Sequence, residues 1–119
     1  MPDDPKGAKS EETNTEYANN TFFEGTVWDL KILFGEWSAR ANEVTWHTSM
    51  TVPWAQAKLM AFYLAVNVAA HEIEHDTKVK IPVGMLPPEV PPATDQDTPM
   101  TKALRQMFRE QREKFLSSL

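Results

Sequence analysis

Cysteine is absent from this 119-residue chain, which excludes disulfide frameworks, thiolate nucleophiles and cysteine-ligated zinc or iron–sulfur sites. Glycine is scarce. The four glycines, at 7, 25, 35 and 84, stand apart, so there is no Gly-x-Gly turn, P-loop or Gly-x-Ser-x-Gly elbow to hold a phosphate or a nucleophile. Positive charge is also short: 12 basic residues face 17 acidic ones for a net charge of −5. Nucleic acid is therefore not an expected partner. No apolar run reaches the ~20 residues of a bilayer span, because Gln56, Lys58 and Asn67 interrupt the strongest one, so no transmembrane segment is expected. The opening Met-Pro-Asp-Asp-Pro-Lys-Gly has neither the basic start nor the apolar core of a secretion signal, and the expected location is the cytoplasm.

What is present divides into four stretches. Residues 1–16 contain no large apolar side chain and read as a disordered polar arm, since nothing there offsets the entropy of ordering it. Residues 17–82 read as an α+β oligomerisation domain. Residues 17–24 and 27–34, separated by Gly25 and Thr26, suggest a hairpin. Trp28, Leu30, Ile32 and Phe34 alternate with Asp29 and Lys31, placing the four apolar residues on one strand face. After a loop over 36–42, Val44, Trp46 and Met50 alternate inward against Glu43, Thr45, His47 and Ser49. Pro53 fits the first turn of a helix that runs to His75. Residues 77–81 alternate Lys78, Val79, Lys80 and Ile81 as a fourth, edge strand guarded by its lysines. The expected fold is thus an antiparallel three- to four-stranded meander packed on one long apolar helix.

That helix is the most informative segment. Over residues 59–70 every side chain but Asn67 is apolar, leaving no polar stripe for water. One sheet face cannot cover such a surface, and a monomer that exposed it would be prone to aggregate. A homodimer or homotetramer is expected, with Trp54, Leu59, Phe62, Tyr63, Val66 and Ala70 at its interface. Six of the nine prolines lie in residues 82–99 and make 83–98 a semi-rigid spacer. The basic amphipathic helix of residues 99–119 follows, capped by Thr98 and Pro99. Its five basic against two acidic side chains give it +3 where residues 1–98 carry −8. Leu104, Phe108 and Phe115 with Arg105, Arg109 and Arg112 form a candidate partner-docking face; the alternative is that this helix packs on its own oligomer.

His71-Glu72-Ile73-Glu74-His75 matches the H-E-x-x-H pattern of zinc metalloproteases. On a helix the two imidazoles share a face and could hold zinc, with Glu72 as general base to a bound water. Against this, the motif closes the helix rather than lying within it. Candidates for a third ligand include Asp76, Glu89, Asp95, Asp97 and His47, the one other histidine, and Glu89, Asp95 and Asp97 sit in the proline-rich stretch. A solvated helix end, where histidine suits the dipole, is the simpler reading, and no catalytic residue is assigned. Trp28, Trp46 and Trp54 read as core, and Trp37, alone in its loop, as a binding candidate.

Tyr17-Ala18-Asn19-Asn20, the strand closing on Leu33-Phe34-Gly35, and the junction Met-Thr-Val-Pro-Trp-Ala-Gln-Ala-Lys-Leu over residues 50–59 resemble an uncharacterised prokaryotic family, number 3467 among the domains of unknown function. The resemblance covers about residues 17–82, places the protein among bacterial-type sequences, and implies a fold but no catalytic residue. The order of strands, long helix, proline-rich loop and second helix is also similar to that of SecB export chaperones, a likeness of topology. Three functional readings follow: a non-enzymatic oligomeric module that binds a protein partner or client, a purely structural subunit of an assembly, and a small zinc metalloprotein.

Overall fold

The computed structural model describes residues 13–119. It is an α+β chain ordered β1 (Asn20–Gly25), β2 (Asp29–Ser38), β3 (Glu43–Pro53), α1 (Trp54–Glu74), a 3-10 turn (Val83–Met85) and α2 (Pro99–Ser117). The chain divides into two compact units, one up to Tyr63 and one from Leu64 to Leu119. Of the polar arm expected over residues 1–16, residues 1–12 lie outside the described residues, and 13–16 have no regular structure.

The first unit is a meander with strand order β1-β2-β3. Its first turn is built by Thr26, whose hydroxyl accepts from the Trp28 and Asp29 N–H groups (3.2 and 3.0 Å) while Thr26 N–H donates to the Asp29 carbonyl at 2.8 Å. A side chain that bonds its own backbone two and three residues on makes a turn without glycine. Trp28 is thereby removed from the strand. Together with Val27 it is 84% exposed, which corrects its expected place on the inner face of β2.

Partners across an antiparallel ladder share a face. Phe23, Ile32 and Met50 are aligned, as are Leu30 with Val52 and Phe34 with Thr48. Between Phe34 and Gly35 the register slips: Phe34 pairs with Thr48 and Gly35 with Trp46, leaving His47 as the extra residue of a bulge. The slip puts Val44 and Trp46 on the opposite face from Met50 and Val52, beside Phe22, whose ring lies 6.4 Å from that of Trp46. The single inward face expected for Val44, Trp46 and Met50 is therefore split in two, because one inserted residue reverses the alternation beyond it. β2 also runs on to Ser38, so Trp37 is a strand residue paired with Val44 rather than a loop residue.

Two contacts explain why the bulge sits there. Gly35 is buried, and a Cβ on it would lie 2.6 Å from the Trp46 ring and 2.7 Å from the Thr45 carbonyl oxygen; only glycine lets the indole cross the backbone. The bulged His47 is held at both nitrogens, Nε2 donating to the Tyr17 carbonyl at 2.8 Å and Nδ1 meeting the Thr48 hydroxyl at 2.7 Å. Beyond the bulge, Asn42 adopts a positive φ of 53° to close the β2–β3 turn, a conformation asparagine tolerates better than most residues.

The interior is small. Among the described large hydrophobic residues only Ile32 (3% exposed) and Val52 (8%) are buried. β3 passes into α1 with no intervening loop, and Pro53 ends the strand instead of starting the helix. Trp54 anchors the junction, its indole N–H donating to the Thr26 carbonyl at 2.9 Å and its ring lying 3.1 Å from where a Gly25 Cβ would be. None of the side chains of α1 is buried, so the expected packing of sheet on helix is not what forms the core.

In the second unit α1 ends in a Schellman-type hook. Thr77 N–H reaches the Glu72 carbonyl at 3.0 Å, Asp76 N–H reaches the Ile73 carbonyl at 3.3 Å, and Asp76 takes a positive φ of 46°. That is the αL position usually given to glycine. The Glu72 carboxylate then accepts the Val79 N–H at 2.8 Å. Residues 77–81 are thereby tied to the helix end and form no strand, which corrects the expected fourth strand. The proline-rich segment turns back at residues 94–97, where the Asp97 carboxylate accepts the Thr94 N–H at 2.8 Å. Thr98 caps α2 by accepting the Thr101 N–H at 3.1 Å, with Pro99 in the first turn, as the sequence indicates.

Three substitutions test this account. Gly35→Ala is expected to lower stability by about 1–3 kcal/mol in urea unfolding, whereas Gly84→Ala, which meets nothing within 4 Å, leaves it within about 0.5 kcal/mol. Asp76→Gly is expected to raise stability by about 0.5–1 kcal/mol by relieving the left-handed conformation; a destabilised variant contradicts the hook.

Candidate functional site

Three groups of residues compete for function, and they differ in what their side chains are free to do. In α1, Leu59, Phe62, Tyr63, Val66, Ala70 and Ile73 recur at three- and four-residue steps, an arc about 100° wide on the helix. Leu59, Phe62, Tyr63 and Val66 are 45–59% exposed and Ile73 is 80% exposed. Leu64 and Val68, on the other flank, are exposed as well, so the helix shows apolar side chains to more than one side. Phe62 and Tyr63 meet edge to face at 5.2 Å. Five of the six expected interface residues belong to this surface. Trp54 does not, since its indole is committed to Gly25 and Thr26 within the chain.

The second group is α2, where the structure separates the expected docking face into two. Thr101, Arg105, Arg109, Arg112 and Leu116 are half-buried and lie along one flank at steps of three and four. That flank meets the chain's own proline-rich segment: Arg112 Nε donates to the Pro87 carbonyl at 3.0 Å, and Arg105 Nε stands 3.4 Å from the Asp97 carboxylate, inside ion-pair distance but out of hydrogen-bond alignment. Arg109 and Arg112 border, with Glu89, Val90, Pro91, Pro92 and Glu113, a hollow of about 550 Å³. Arg105 and Arg112 thus meet this chain's own spacer. Leu104, Met107, Phe108 and Phe115 face outward, and Met107, Phe108 and Phe115 line an apolar groove of about 190 Å³ with Pro87 and Arg112.

The third group is the histidine pair. His71 and His75 stack at 4.4 Å between ring centroids. His75 Nδ1 donates to the His71 carbonyl at 2.9 Å, the back-bond of a helix end. Glu72, the general base in a metalloprotease reading, holds the Val79 N–H instead. Among the described residues no three His, Asp or Glu side chains come together as metal ligands; His47, the remaining histidine, has both nitrogens engaged in the first unit.

No protein-family model, curated protein or solved structure matches the chain. No helix of the described residues is long and apolar enough to cross a membrane. The geometry therefore carries the functional argument, and it adds a feature that pattern reading missed. Val27 and Trp28 form an exposed apolar hairpin tip, and the signal for it was the Thr26-x-x-Asp29 turn, which strand alternation concealed. The structural role of Glu72 predicts that Glu72→Ala lowers stability by about 0.5–1.5 kcal/mol in thermal melts. An unchanged melting temperature would return Glu72 to the list of groups available for chemistry.

Proposed function

We propose that the protein is a non-enzymatic homo-oligomeric interaction module: α1 builds the oligomer, and the outer face of α2 with its proline-rich strap receives a protein partner or client. The observation that carries this reading is that neither α1 nor α2 buries a single side chain, although both are rich in large apolar residues. On α1, Leu59, Phe62, Tyr63, Leu64, Val66 and Val68 are each about half exposed and Ile73 is 80% exposed, spread over more than one side of the helix. Exposure on that scale calls for a cover. By analogy with the order of elements in SecB export chaperones, which the sequence resembles in topology alone, the partner is taken to be an unfolded client chain.

Two sets of variants separate the two surfaces. Phe62→Asp combined with Val66→Asp is expected to reduce the subunit number in sedimentation velocity, since each carboxylate placed in an apolar interface opposes assembly. Leu104→Asp combined with Phe108→Asp is expected to keep the assembly and lose suppression of aggregation when a urea-unfolded protein is diluted into buffer with the chain, followed by light scattering. If the α2 variant protects as well as the wild type, α2 is a structural element and the reading reduces to a subunit of an assembly.

A further inference from the structure

We propose that β1 is the strand through which two copies of this chain join, pairing antiparallel about a two-fold axis at Phe23 to form one continuous six-stranded sheet. This rests on the homo-oligomer reading above and deepens it by naming an interface.

The direction of the backbone groups on β1 follows from three hydrogen bonds. Thr26 N–H donates to the Asp29 carbonyl at 2.8 Å, Asn19 N–H to the Gly35 carbonyl at 3.0 Å, and Trp37 N–H to Asn19 Oδ1 at 2.8 Å. All three engage odd-numbered residues of β2 on its β1 side. In an antiparallel ladder the residues whose N–H and C=O face a given neighbour alternate. Through the pairs Phe22↔Leu33 and Glu24↔Lys31, the even-numbered residues of β1 therefore face β2. Thr21, Phe23 and Gly25 turn their N–H and C=O groups to the open side of the sheet.

The two edges of the sheet are not equivalent. β3 carries the His47 bulge and ends on Pro53, two devices that discourage a further strand. β1 has neither bulge nor proline nor lysine, and Phe22 and Phe23 are both exposed. Among the described residues, those before β1 leave its outer side clear, because Tyr17 and Asn19 turn across the end of the sheet to His47, Gly35 and Trp37.

The strand also complements itself. A two-fold axis normal to the sheet keeps each face continuous, so Phe23 stands opposite Phe23 of the second copy and Thr21 opposite its Gly25. Three residues on each strand then exchange six hydrogen bonds, and the two Phe23 rings meet over the face that holds Ile32 and Met50. A register centred on Phe22 would give four, since it sets Gly25 against Asn19, whose N–H is already bonded to Gly35. The opposing Thr21 side chain would sit beside the Trp54 ring, which lies 3.1 Å from where a Gly25 Cβ would be. A second copy is thus the occupant that this edge fits.

The absence of native cysteine makes Phe23→Cys in the full chain a clean probe. Mild copper–phenanthroline oxidation is expected to give a disulfide-linked dimer on a non-reducing gel, with no such dimer for Thr51→Cys on the β3 edge. No crosslink at Phe23 in a chain that native mass spectrometry finds oligomeric overturns the strand pairing and leaves the oligomer standing, whereas a monomer overturns both. Because the substitution removes a ring from the proposed contact, hydrogen exchange on the wild-type chain is the second measurement. The outward amides of Thr21, Phe23 and Gly25 are expected to exchange at least ~100-fold slower than an open chain, and open-chain rates there overturn the pairing. Protection that appears only when an unfolded client is added assigns the edge to a foreign strand and overturns the second-copy assignment.

Discussion

A three-stranded sheet and two helices can be stable in water only if their apolar faces are covered, and the described residues of this chain cover very little by themselves. Ile32, Val52 and the backbone of Gly35 are the buried positions of the sheet, and the helices contribute none. Conformational entropy opposes folding at roughly 1–2 kcal/mol per ordered residue, and an interior of this size cannot offset that for so many residues. The rings and aliphatic chains of α1, of α2 and of both sheet faces remain exposed, and the association between copies proposed above would bury them.

Within that constraint, local chemistry fixes the shape. Thr26 closes the first hairpin, Gly35 and Trp46 admit the bulge, and His47 and Asn19 tie the incoming chain to the far end of the sheet. Asp76 and Glu72 hook the end of α1, while Asp97, Thr98 and Pro99 start α2. These are hydrogen-bonded devices between near neighbours, each worth about 1 kcal/mol. They define where each element begins and ends without supplying a core. On α2, Arg105 and Arg112 meet the returning proline-rich strap, while the adjoining Leu104, Phe108 and Phe115 stay exposed.

The α+β class, the three-strand order, the long helix and the Thr98–Pro99 start of α2 were legible in the sequence because they rest on periodicity and capping residues. The two sheet faces were not, because a bulge is a single inserted residue and alternation carries no mark of it until Gly35 and Trp46 are seen together. Residues 77–81 alternate like a strand, yet the Glu72 carboxylate competes for their backbone, a contact that pattern cannot register. The histidine pair was legible as a motif and weighed as a helix end; the structure adds that Glu72 and His75 are occupied by backbone groups. The division of α2 into two flanks was not legible. The apolar members of the expected docking face point outward, but charge alone gave no sign that Arg105 and Arg112 serve the chain's own spacer.

The central claim, that copies of this chain cover one another's apolar faces, is tested most directly by sedimentation equilibrium of the wild-type protein over a wide concentration range. The account predicts a mass that is a whole-number multiple, two or four, of the 13.6 kDa chain, held down to low micromolar concentration. A monodisperse species of 13.6 kDa that unfolds cooperatively would contradict it, and would mean that this small interior is sufficient alone.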